Sequence, residues 1–156
     1  MVRQVRSLLL MTTFLLLPVA GYAQTVVAGQ DPGFNEDATL VVPAGEVWEV
    51  LTIYTDFVTS TTPGSRQGVL QIEAGGGIVW HSDAPGDQQA GRNVRYAAGA
   101  GLTRQDEGAL ATINGKQWAL PSGLLLSGGS LIRTVTFGGH ATDNWGALRV
   151  VVRRHQ

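Results

Sequence analysis

Apolar and polar residues alternate along this chain with the period of strands, and the densest run lies at Pro43 to Ser60, PAGEVWEVLTIYTDFVTS. Its odd positions include Val47, Leu51, Ile53 and Phe57, and its even positions Trp48, Val50, Tyr54 and Val58. β-branched and aromatic residues fit a pleated, half-buried surface. A run that is apolar on both faces predicts a central strand covered on each side. Before it, Thr25–Ala28 and Ala38–Val42 read as short strands. After it, Gly68, Leu70 and Ile72 alternate with Val69, Gln71 and Glu73, and Gly75-Gly76-Gly77 predicts a hairpin back into Ile78–His81.

Further strands are expected at Asn93–Ala98, Leu131–Phe137 and Gly146–Arg154. Asn114-Gly115, flanked by Ala111–Ile113 and Gln117–Leu120, is the strongest two-residue hairpin signal in the chain. Leu124–Leu126 reads as a short buried run between turns. No window after residue 23 sustains a helical period. The pattern predicts one all-β domain, a single antiparallel β-sandwich of jelly-roll type with about eight to ten short strands. Residues 24–37 form an N-terminal segment that pairs at home or on a neighbouring molecule's edge, and 38–156 the sandwich.

The first residues change the picture of where the protein works. Arg3 and Arg6 precede an apolar run, Leu8–Ala20, and Gly21-Tyr22-Ala23 supplies small residues at a cleavage site. This is the build of a bacterial-type secretory signal peptide, residues 1–23, cut after Ala23. The run is shorter than the ~20 residues of a spanning helix. The expectation is therefore a secreted or periplasmic protein with no membrane span after cleavage. Cleavage removes two arginines and no acid, so the net charge of −1 becomes two units more negative. Such a chain, with Arg153-Arg154 as its only adjacent cations, lacks the basic footprint of nucleic-acid binding. With no cysteine, an exported domain must stand on its packed core rather than on disulfides.

Candidate chemistry is sparse. His81, His140 and His155 are far apart, without metal-ligand spacing, although His140 and Asp143 share one loop. Asp83 and Asp87 flank a polar loop with oxygen ligands of the kind calcium takes, but the EF-hand spacing is absent. Asp106-Glu107 is a carboxylate pair whose members, being neighbours, point apart on a strand. There is no G-x-S-x-G and no phosphate-loop glycine run. The expectation is a non-enzyme without cofactor. Trp48, Trp80 and Trp118 fall in strand-like runs and read as core, with Tyr54 also structural. Trp145 follows a polar loop and is the tryptophan expected at the surface, where with Asp143 and His140 it would stack on and bind a glycan. Arg66 follows the Pro63-Gly64-Ser65 turn and is expected to tie that loop to carbonyls or to Asp56.

Two blocks carry a resemblance. The first is Pro43-Ala44-Gly45-x-x-Trp48 through Tyr54, with Gly64-x-Arg66-Gln67 and Val69-Leu70-x-Ile72. The second is Leu120-Pro121 with Leu124–Leu126, Ile132-Arg133-Thr134 and Asp143-x-Trp145. In this order they resemble small jelly-roll-like structural proteins of tailed phages and prophages, over about Ala38 to Arg153. The resemblance implies a self-associating, non-enzymatic structural protein. Its signal peptide departs from that family, whose members assemble in the cytoplasm. Two functions from different classes follow as expectations: assembly or surface attachment as a homo-oligomer, and carbohydrate binding through exposed aromatic residues.

Overall fold

At Gly75 and Gly76 the backbone has φ of 59° and 82°, the left-handed conformation that a two-residue hairpin needs at both positions. The computed structural model, which describes residues 23–106 and 115–155, folds outward from this turn. Strand β4 (Ser65–Ala74) pairs with β5 (Gly77–Asp83) across it. Around that hairpin three more antiparallel ladders are nested: β3 (Val47–Val58) with β7 (Asn93–Ala100), β2 (Thr39–Val41) with β10 (Leu131–Phe137), and β1 (Gln24–Ala28) with β12 (Arg149–His155).

The nested ribbon is then rolled, so that β12 also pairs with β3 and β10 with β4. The result is two packed sheets whose main orders are β1-β12-β3-β7 and β2-β10-β4-β5. This is the jelly-roll sandwich expected from the strand spacing. Twelve strands are present among the described residues, more than expected. The additional ones are β6 (Gln88–Gln89), β9 (Leu125–Ser127) and β11 (Asn144–Trp145), two or three residues long, while β8 (Gly115–Leu120) contains the expected Gln117–Leu120 run. No helix among the described residues is long and apolar enough to cross a membrane.

Three local expectations are corrected. β3 is central, but its two apolar faces arise from a bulge rather than from cover on both sides. Thr52 opposes Val151 and Val50 opposes Val152, leaving Leu51 as the extra residue. Trp48 and Val50 point inward before the bulge, and Ile53, Thr55 and Phe57 after it. Second, β8 runs parallel to β7, with Arg95 opposite Gly115 and Ala100 opposite Leu120, so the sandwich is not wholly antiparallel. The Ala111–Asn114 half of the expected hairpin lies outside the described residues, as do residues 1–22 of the expected signal peptide. Third, Leu124–Leu126 is not a buried run. Leu126 is buried opposite Trp48, while Leu125 faces solvent.

The core between the sheets holds Trp48, Val50, Leu70, Ile72, Ile132, Val150 and Val152, and at one end an aromatic group. There Trp145 stacks on Phe57 at 4.2 Å, and Tyr96 meets Trp145 edge-on at 5.1 Å and lies tilted against Trp118 at 5.0 Å. The Tyr96 hydroxyl donates to the fully buried Gln88, whose amide donates to the Phe57 carbonyl. Space for these rings comes from Gly68 on β4, where a Cβ would lie 3.1 Å from Trp145 and 3.2 Å from Tyr96.

Candidate functional site

The sequence candidates His140, Asp143 and Trp145 come together at this aromatic end, the first two in the connection from β10 to β11 and Trp145 in β11 itself. A small cleft of about 70 Å³ opens there, lined by Asn35, Asp37, Thr136, Gly139, Asp143 and Trp145 among others. Asn35 adopts a left-handed φ of 57°, which turns its N–H to the Asp143 carbonyl at 2.7 Å. The β1–β2 connection is thereby pinned against the β10–β11 loop.

Asp143 is buried, and every contact of its carboxylate is a donor. Ser60 N–H reaches Oδ1 at 2.7 Å, His140 N–H reaches Oδ2 at 2.8 Å, and Arg66 Nε reaches Oδ2 at 2.9 Å. Burial alone would raise its pKa, but these hydrogen bonds, led by the Arg66 guanidinium, outweigh it and hold the carboxyl at about 2. Arg66 is 0% exposed and spends its remaining donors on the Gly64 carbonyl at 2.6 Å, the Ser60 hydroxyl at 2.9 Å and the Thr62 carbonyl at 3.1 Å. The expected tie to loop carbonyls is present. The acid is Asp143, not Asp56, which forms a two-pronged pair with Arg95 at 2.8 and 3.0 Å.

Trp145 is the main correction at this site. It is 1% exposed, because two residues of β11 pair with Phe57 and Val58 and carry the indole into the core. Its N–H donates to the Thr136 hydroxyl at 2.7 Å. A ring so placed offers no face to a sugar. Among the described residues the exposed aromatic side chains are instead Phe34, at 71%, and Phe137, at 58%. Each adjoins in sequence a residue lining the cleft, Asn35 and Thr136 respectively. Sequence reasoning missed both; each stands beside a turn glycine, Gly33 and Gly138, a weak signal of a residue at a loop tip.

Inside the cleft Asp37 has a raised pKa, because burial outweighs the pull of Arg133 and the hydrogen bonds from Thr134 and Thr136. The volume is well below the roughly 300 Å³ at which small-molecule pockets begin. With the Asp143 carboxylate held by Ser60, His140 and Arg66, and its backbone carbonyl by Asn35, the arrangement acts as an anchor that fastens three loops.

A second polar cluster lies at the loop that Asp83 and Asp87 flank. Asp83 and Asp87 are both exposed at their side chains. The carbonyls of Pro85, Gly86 and Asp87 instead converge on the buried Lys116 ammonium at 3.1, 2.9 and 3.3 Å, with Asp106 Oδ1 at 2.6 Å. The loop does gather oxygens around a cation, and that cation is a side chain of the chain itself. Glu107, the other member of the expected carboxylate pair, lies outside the described residues. His81 is exposed on β5, and His155 sits 3.2 Å from Glu49 at the end of β12, so the histidines do not converge. No group of three or more potential metal ligands is present among the described residues. Tyr54 lies on the outer face of its sheet under Arg149, at 5.9 Å, while Trp48 and Trp118 are core and Trp80 is half-buried against it.

Comparison with protein-family models, curated proteins and solved structures returned no match.

Proposed function

We propose that this chain is an exported, non-enzymatic jelly-roll protein that works by self-association, in structural assembly or surface attachment. The observation that supports this reading is the character of the sheet edges. Of the four terminal strands, β1 (QTVVA), β2 (TLV) and β5 (GIVWHSD) contain no lysine, arginine or proline, and the fourth, β8, has its Lys116 buried. The first three present Val26, Val41, Ile78 and Val79 to solvent, the last two at 58% and 54%. Edge strands of monomeric proteins are ordinarily guarded by such residues, since an open ladder recruits another strand. β5 is guarded by the exposed Asp83 at its end and by a bulge between the Trp80 and Ile78 pairings, which leaves Ile78 and Val79 both exposed. The resemblance to phage structural proteins is in line with this reading. Light scattering with electron microscopy of the protein from the exported fraction tests it. Defined oligomers, rings or filaments are expected, and a strict monomer across a wide concentration range counts against it.

Glycan binding is the second reading, and it now rests on Phe34 and Phe137 rather than on Trp145. Both rings are exposed beside a polar cleft, the surroundings in which an aromatic face stacks on a sugar. A glycan screen in which Phe34→Ala and Phe137→Ala leave every bound signal unchanged removes it.

A further inference from the structure

Two of the eight main strands of the roll, β5 and β1, have no buried residue; β5 is held to β4 by the two-residue Gly75-Gly76 turn, and the one on a long connection is β1. In β1 only Val27 is half-buried and packed against the core. Its ladder partner is β12, through five opposed pairs from Gln24↔Arg153 to Ala28↔Arg149. Leaving that position would bare a β12 edge whose centre, Val150-Val151-Val152, is β-branched. The edge is bounded by Arg149 and Arg153, and this charge pattern selects what can cover it. A second β12 paired antiparallel about Val151 would set Arg149 against Arg153, like charges directly opposite. The uncharged β1 sequence meets the same arginines with Gln24 and Ala28.

We infer that β1 is an exchangeable strand, which in the assembled protein pairs with β12 of a second copy of this chain. This rests on the self-association proposed above and specifies its contact. Exchange reproduces each native pair on the other copy, so the strand pairing itself is conserved and only the connection must open. That connection, Gly29–Ala38, is pinned by Gly29 N–H to the Leu148 carbonyl and by Asn35 N–H to the Asp143 carbonyl. Between these pins lie Gln30, Asp31, Pro32, Gly33 and Phe34, with a groove of about 310 Å³ beside Gly29 and Gln30. Extended, the connection reaches on the order of 30 Å, which bounds the distance to the receiving strand.

The absence of cysteine in the chain makes the test direct. Val26 and Val151 are opposite each other, so one population carries Val26→Cys and another Val151→Cys. The two are mixed, refolded together and oxidised. A doubly substituted chain, whose disulfide forms inside or between copies, controls for folding and for pair geometry. A cross-linked dimer from the mixture, in the oligomeric fraction, is the expected result. Oligomers without that cross-link, while the double variant links only within one chain, overturn the exchange and leave self-association standing. A monomer by light scattering at every concentration overturns both.

Discussion

Arg66 and Asp143 stand 77 positions apart and meet with almost no access to water. Removing one member of such a pair leaves a buried charge without its partner, which costs about 3–5 kcal/mol. Arg66→Ala is expected to lose that much in a denaturant titration, well beyond the ~0.5 kcal/mol of a solvated surface residue. The pH dependence follows from the depressed Asp143 pKa. Its ordinary value is 3.8 and its folded value about 2, so the unfolded chain binds the proton more readily in this range. The contribution, about 2 kcal/mol, is complete above roughly pH 5 and lost as pH falls to about 2. Stability of Asp143→Asn is expected to be flatter over this window. Lys116→Met is expected to destabilise by about 1–3 kcal/mol, through three carbonyls left without a donor, while added calcium leaves the melting temperature of the native protein unchanged. Of this residue chemistry the sequence disclosed the loop whose carbonyls accept from Arg66 and the oxygen loop at Asp83–Asp87. The partners were not legible, because each comes from a strand or loop distant in sequence and nothing local marks the pairing.

The strands themselves were legible wherever a turn residue of special conformation stood between two alternating runs, as at Gly75-Gly76. Where two short segments are added to a longer neighbour, local pattern fails. β11 has only Asn144 and Trp145, too few to show a period, so Trp145 read as part of an exposed loop. β3 failed in a different way. A single bulged residue at Leu51 reverses which parity is buried, and the sum of the two phases mimics a strand covered on both faces. Parallel pairing of β8 was hidden for a third reason, since Asn-Gly argues for a tight local return and the partner strand lies in the preceding ladder. At this scale the open edge of β5 is the place to intervene. Val79→Lys puts a charge on an exposed edge position without touching the core. It is expected to block growth through this second edge beyond the strand-exchanged unit, shifting light scattering toward smaller species, with the far-ultraviolet circular dichroism of the parent.

Taken whole, the molecule is a ribbon folded at one hairpin and rolled, so that almost all of its pairing joins residues remote in the chain. The innermost ladder, β4 with β5, closes the shortest loop, and the outermost, β1 with β12, the longest. Such non-local topologies fold slowly. The outermost ladder has one more consequence, which concerns connectivity. Gln24 opens β1 directly beside Arg153 near the end of β12, so a short peptide can join the two strands into a new hairpin. New ends can then be opened in the solvent-exposed Gly75-Gly76 turn. A circularly permuted chain of this design keeps every ladder of the native roll, but β1 now follows its own β12 through a short turn at the Gln24–Arg153 end.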